Sequence, residues 1–221
     1  MKVSDAIMSR RSMRVFKDTP VPEEVVRRVV ETGKHAASNT NCQPWRLYVT
    51  MGAARKRLSA AIQAAIDAGQ KPAPEYRIHG EHVEPYRGRQ VALGKALYGM
   101  LGIVRGDAAG MMRQTRRNFD FFDAPVGMIL TMDRRHGEGQ WIDIGCFLTS
   151  MMLVAREEGL HTCPQAAFAN YHTVIRKELG VPDEEIVLCG MALGHADTAD
   201  TPNMLVPERA ALAEFSTWFT S

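Results

Sequence analysis

Arg10, Arg11, Ser12, Met13 and Arg14 pack three cations and a hydroxyl into five consecutive positions, directly after the short amphipathic stretch Val3 to Met8. Guanidinium forks match phosphate oxygens, and a serine hydroxyl adds a compact neutral donor, so the run reads as an anion site. Alone, such a charge run is more often a solvated face. A second cluster tips the balance: in Ser38-Asn39-Thr40-Asn41-Cys42-Gln43-Pro44-Trp45, small amides and hydroxyls stand immediately before an apolar strand. Side chains of this kind bond ligand hydroxyls or satisfy a turn locally. Together the clusters point to a polar cofactor that carries a phosphate.

The elements that must hold these residues are legible from capping and periodicity. Ser4 is placed to cap a helix ending near Arg10. Pro20, Pro22, Glu23 and Glu24 open a second helix, along which Val25, Val26, Val29, Val30 and Gly33 recur at helical spacing. Trp45 to Thr50 reads as a short strand, Gly52 to Ala68 as an alanine-rich helix, and Val126 to Thr131 as a buried strand behind Pro125. From Trp141 to Glu158 the set Ile144, Leu148, Met151, Met152 and Ala155 keeps a 3.6-residue period with almost no charge before Arg156, which predicts a helix buried nearly all round. Strands follow at Leu160 to Cys163 and Ile186 to Leu193, and the intervening helix, Tyr171 to Leu179, is stopped by Gly180 and Pro182. A last amphipathic helix is expected within Leu205 to Phe219.

Residues 69–123 break this pattern. Proline-broken ends, aromatic and methionine side chains and several arginines mark the segment as a lid or binding excursion, or else as a helical insertion whose cations face water. In the first case Tyr86, Tyr98, Met111, Met112, Phe119, Phe121 and Phe122 form its apolar wall, and His79 and His82 are the histidines kept as substrate contacts. Arg87, Arg89, Arg113, Arg116 and Arg117 then either meet an anionic ligand, such as a dinucleotide 2′-phosphate or an aromatic carboxylate, or form a solvated face.

Composition excludes several classes. A chain of 221 residues with 45% hydrophobic content suits a single domain over 1–221. A net charge of +2 gives no global field for nucleic acid or an anionic membrane. The longest apolar stretch, Ala124 to Met132, is too short to span a bilayer, and no signal-peptide pattern opens the chain, so a cytoplasmic protein is expected. Cys42, Cys146, Cys163 and Cys189 have no metal-ligand spacing and read as packing residues.

Arg10-Arg11-Ser12-Met13-Arg14-Val15-Phe16, Pro20-Val21-Pro22, the Ser38 to Trp45 stretch, Gly159-Leu160 before a strand, Leu179-Gly180-Val181-Pro182, Gly190 to Gly194 and Pro207-Glu208-Arg209 resemble, in that order, the FMN-dependent nitroreductase family. Ala96-Leu97-Tyr98 and Asn118 to Pro125 are similar to the branch that reduces nitroaromatic compounds and nitrobenzoates. The resemblance implies an α+β fold with a central antiparallel sheet flanked by helices, in a domain-exchanged homodimer. The nearly uncharged helix from Trp141 is the core helix of one subunit, part of that interface, or both.

By the same resemblance, Arg10, Ser12 and Arg14 hold the FMN phosphate and ribityl chain, with Arg11 alongside. Ser38, Asn39, Asn41 and Gln43 meet the ribityl hydroxyls and ring edge from the other subunit or from the same pocket. Pro164, Gln165 and Ala166 run along the flavin, and Arg209 closes on the phosphate or remains a surface cation. Tyr86, Tyr98, Met111 and Phe122 are the implied substrate contacts. The implied activity is ping-pong hydride transfer from NADH or NADPH to a nitroaromatic or quinone acceptor, carried by the flavin with no catalytic side chain and no metal. Other readings are deiodinase-like or flavin-fragmenting chemistry on the same fold, and a flavin-binding module without turnover.

Overall fold

The computed structural model describes residues 1–81 and 83–220, so His82 lies outside the described residues. Four strands, β1 (Trp45–Met51), β2 (Val126–Asp133), β3 (His161–Gln165) and β4 (Glu185–Gly194), form an antiparallel sheet in the order β1-β2-β4-β3. Alternation along β2 sorts its side chains onto two faces. Val126, Met128, Leu130 and Met132 join one core with helices α2 (Glu23–Gly33) and α6 (Gly139–Glu157). Ile129 joins the other, with α3 (Gly52–Asp67), α7 (His172–Leu179) and Phe119, Phe121 and Phe122. Helices thus cover both faces of the antiparallel sheet, as the resemblance implies.

The second face is shaved by two glycines. A Cβ on Gly127 would sit 2.6 Å from the Phe121 ring, and one on Gly190 would sit 2.3 Å from Phe168 Cδ2. Phe121 and Phe168 stack there at 4.5 Å between ring centroids, and neither is exposed to solvent. The register of β2 against β4 slips between Leu130 and Thr131, and the Leu188 carbonyl of that bulge accepts the Tyr76 hydroxyl at 2.5 Å.

Three expectations need correction. Ser4 lies inside α1 (Val3–Ser9), whose N-cap is Lys2 and makes no side-chain cap bond. Helix α6 is buried on one side only: Ile144, Phe147, Met151, Met152 and Ala155 face the core, whereas Ile142 is 72% exposed. The tail forms no helix beyond a single 3-10 turn at Leu212–Glu214, and Phe215, Trp218 and Phe219 stand in solvent. A short amphipathic segment with no surface to pack on does not hold a helix by propensity alone.

Residues 69–123 carry two helices, α4 (Tyr86–Met100) and α5 (Ala108–Arg116), followed by a 3-10 stretch at Arg117–Asp123. No residue of α4 is buried. Gly190→Ala is expected to destabilise the protein by about 1–3 kcal/mol, because the ring it meets has no space to retreat. A urea melt checks this as a lower midpoint at unchanged slope.

Candidate functional site

Beyond α1 the chain turns extended and lies along the outer edge of β3. Ser12 pairs in parallel with Thr162, and the Met13 N–H donates to the Thr162 carbonyl at 3.1 Å. Met13, 1% exposed, plugs the core and fixes the register of its cationic neighbours. The Arg14 N–H donates to Asn203 Oδ1 at 2.6 Å, and the Arg14 guanidinium reaches the Ser12 carbonyl at 3.1 Å. Asn203 is buried and also donates to the Val15 and Asp197 carbonyls, so it fastens the basic run to the start of the C-terminal tail. Arg11 turns to that tail, toward the carbonyls of Met204 and Leu205 at 3.5 and 3.4 Å.

The tail brings Arg209 back to the same place. Burial, and then repulsion from Arg209, pull the Arg10 guanidinium below its ordinary range. Among the described residues no ion pair joins a carboxylate to Arg10, Arg14 or Arg209. Arg209 instead donates to the carbonyls of Pro207 and Glu208. Beneath the cluster, burial pushes the Cys163 thiol up to about 11 against the opposing pull of Arg14, Ser12 and Arg10. Thr162 Oγ1 and Gln165 Oε1 are buried without a hydrogen-bond partner among the described residues, while Gln165 Nε2 donates to the Asn118 carbonyl at 2.7 Å. Like charges gathered at a half-buried edge are stabilised by an anion that accepts from several donors at once.

The second predicted cluster lies elsewhere in the chain. Ser38, Asn39, Asn41 and Gln43 form a tight loop before β1, and β2 and β4 separate β1 from β3 by roughly 14 Å across three strand spacings. Arg10, Ser12, Arg14, Pro164, Gln165 and Ala166 thus lie along or just beyond β3, with Arg209 near Arg10, whereas the Ser38–Gln43 loop leads into β1 at the opposite edge of the sheet.

The excursion is only partly as expected. Tyr86 is exposed, and Tyr98 and Met111 are half-buried, but Phe122 is 2% exposed within the core, as are Phe119 and Phe121. The expectation of Phe122 as a substrate contact is thereby corrected: its ring fills the face of the sheet and has no open side. Phe121 and Phe122 hold left-handed backbone, φ 52° and 53°, which turns both rings inward. Arg89, Arg116 and Arg117 pair with Glu214, Asp67 and Asp123 respectively, which neutralises three of the five cations considered for an anionic ligand.

Sequence reasoning missed Asn203 and Asp143. Asn203 acts by contacts 188 or 189 residues away and leaves no local signal. Asp143 had one: it is a lone acid inside an apolar helical period.

An antiparallel sheet lies between helical layers, with Arg10, Arg14 and Arg209 near the β3 edge and no ion pair to them among the described residues. The model of the nitroreductase family matches residues 7–195, and the chain belongs to that family. It is 42% identical to a chloronitrobenzene nitroreductase of Comamonas testosteroni, covering 98% of this chain and 96% of that protein. It is 38% identical to a 4-nitrobenzoate reductase of Pseudomonas putida, over 91% and 88% of the two chains. In structure it superimposes on the FMN and NADPH-dependent nitroreductase NfnB of Sphigopyxis sp. strain HMH with a TM-score of 0.96 at 37% identity, covering all of both chains. The FMN-dependent NfnB of Mycobacterium smegmatis, solved with NADPH, gives 0.94 at 30% identity over 99% and 98%.

His161 beside this edge sets a pH dependence. Burial first, then Arg156, His195 and Arg11, push it down to about 4. The unfolded chain takes up this proton near pH 6.5 and the folded one only near 4, so stability is full above about 6.5 and is lost as pH falls between those values. His161→Gln should flatten that part of the stability profile, measured as denaturation midpoints across the interval.

Proposed function

We propose that this protein is an FMN-dependent NAD(P)H oxidoreductase that reduces nitroaromatic acceptors, with quinones as alternative acceptors, and that it works as a homodimer. The observation that carries the reading is the set Arg10, Arg14 and Arg209 at the outer edge of β3, with no carboxylate partner among the described residues. These residues, with the Ser12 hydroxyl, fit the FMN phosphate, and Pro164, Gln165 and Ala166 continue along the same edge toward the isoalloxazine ring. When bound, FMN supplies a two-electron hydride carrier between the nicotinamide and the acceptor.

The chain's own part is binding and orientation. Arg10, Arg14 and Arg209 would hold the cofactor phosphate and neutralise its charge. The half-buried Tyr98 and Met111 and the exposed Tyr86 flank the approach of an aromatic acceptor. Of the five arginines considered for an anionic ligand, Arg87 and Arg113 are in no ion pair among the described residues and remain for an acceptor carboxylate or a dinucleotide phosphate.

Dimerisation answers two features of the single chain. The Ser38–Gln43 loop leads into the sheet edge opposite Arg10–Arg14, and in a homodimer the loop of one subunit would stand beside the basic run of its partner. The free edge of β1, beside a groove of about 410 Å³ whose apolar floor of Val26, Val30, Val49 and Met51 is flanked by Glu23, Arg27 and Glu31, offers a seat for the exposed tail aromatics Phe215, Trp218 and Phe219 of a second copy.

The test is direct. Purified protein loaded with FMN should lose its yellow colour on anaerobic addition of NADH or NADPH and regain it with nitrobenzene or 4-nitrobenzoate; a stable yellow protein would leave only a passive flavin binder. Arg10→Ala should weaken FMN binding by about 1.5–3 kcal/mol, the range for a hydrogen bond to a charged group, read by flavin fluorescence titration. Deleting 212–221 should give a flavin-poor monomer in sedimentation, and a fully loaded dimer would remove the tail from the interface.

A further inference from the structure

Asp143 is a carboxyl on the buried face of α6 and is 5% exposed. Its Oδ1 accepts the backbone N–H of Asn39 at 3.0 Å, and its Oδ2 is buried with no hydrogen-bond partner among the described residues. Burying a carboxyl with half its acceptor capacity unused is unfavourable, and an apolar side chain would suit this face of the helix better. The one described contact that offsets this is the bond to the Asn39 backbone.

That bond lands on a strained loop. Thr40, Asn41 and Gln43 have φ of 49°, 58° and 49°, a left-handed conformation that is costly for a β-branched threonine in particular. Inside the loop, the Asn41 N–H donates to the Ser38 carbonyl, the Cys42 N–H to the Asn39 carbonyl and the Gln43 N–H to Ser38 Oγ. These bonds curl the loop on itself without attaching it to anything. Asn39 N–H to Asp143 is the one described hydrogen bond from residues 39–43 to another element. The side-chain amides of Asn39 and Asn41 take part in none of these bonds and are free for a ligand.

We infer that Asp143 is a positioning residue for cofactor recognition: through the Asn39 N–H it ties the Ser38–Gln43 loop to α6 and holds Asn39, Asn41 and Gln43 in the conformation that meets the flavin. The inference rests on the reading that this loop contacts FMN, and the experiment separates the two. On the full-length protein, FMN dissociation constants, backbone amide exchange at residues 39–43 and melting temperatures are compared for the parent, Asp143→Ala, Asp143→Leu, Asp143→Asn, Asn41→Ala and the Asp143→Ala/Asn41→Ala double variant.

Asp143→Ala and Asp143→Leu should each weaken FMN binding about tenfold, as loss of a charge-assisted bond does, and should speed amide exchange in the loop. Asp143→Asn keeps an acceptor oxygen and should restore both readouts. Asn41→Ala should weaken binding in the parent but add little on top of Asp143→Ala, because both act through one loop. Asp143→Leu preserves apolar packing, so it reports even if the alanine variant folds poorly. Unchanged affinity in Asn41→Ala would overturn the loop reading itself. Weakened binding in Asn41→Ala with a lower melting temperature but unchanged affinity and loop exchange in the Asp143 variants would make Asp143 structural and overturn the inference.

Discussion

The constraint on this edge of the fold is a set of guanidinium groups that no carboxylate among the described residues pairs, Arg10 and Arg14 with Arg209 returned by the tail. Met13 anchors the basic run against β3, Asn203 locks the run to the beginning of the tail, and the tail then returns a further guanidinium to the same edge. Each of these contacts is made by a neutral group, so none relieves the charge. On the reading proposed above, the relief comes from the cofactor phosphate, which accepts from several guanidinium forks at once. The nearby thiol and imidazole feel the same field: Arg14 and Arg10 oppose the rise that burial imposes on Cys163, and Arg156 and Arg11 add to the depression of His161.

The sheet supplies rigidity behind that edge. Glycines at 127 and 190 let Phe121 and Phe168 lie against the sheet surface, and the left-handed turns at Phe121 and Phe122 deliver the rings there. The excursion is consequently rooted in aromatic core at its C-terminal end. What projects from the body is α4, which keeps none of its residues buried. An edge backed by packed rings and an arm without a core of its own give the molecule a firmly packed half and a more loosely held one.

Much of this was legible in the residues, and the misses share a cause. Arg10 to Arg14 announced themselves by type and spacing, and strands such as Val126–Asp133 by an apolar run behind a proline, because both signals are local. Phe122 reads as a wall residue because aromatic side chains look the same in a lid and in a core, and only its packing into the core distinguishes the two. The tail's apolar spacing was real, but a helix needs a packing partner that one chain does not offer it, so Phe215, Trp218 and Phe219 remain exposed. The Asp143 to Asn39 bond spans 104 residues and has no local trace beyond an acid standing alone in an apolar stretch.

The excursion is clamped at both roots. Burial raises the Glu75 carboxyl, but hydrogen bonds from Arg134, Arg176 and the Val187 N–H outweigh it and hold the group below its usual range, while Tyr76 bonds the bulge carbonyl of Leu188. At the far end Arg116 bonds Gln63 and Asp67, and Gln63 bonds Asp120. A polymer fixed at two points pays for its contour only logarithmically, about 0.6 kcal/mol for each doubling of length. The connector between α4 and α5, residues 101–107, can therefore gain or lose residues at little thermodynamic cost while the clamps at Glu75 and Arg116 stay in place.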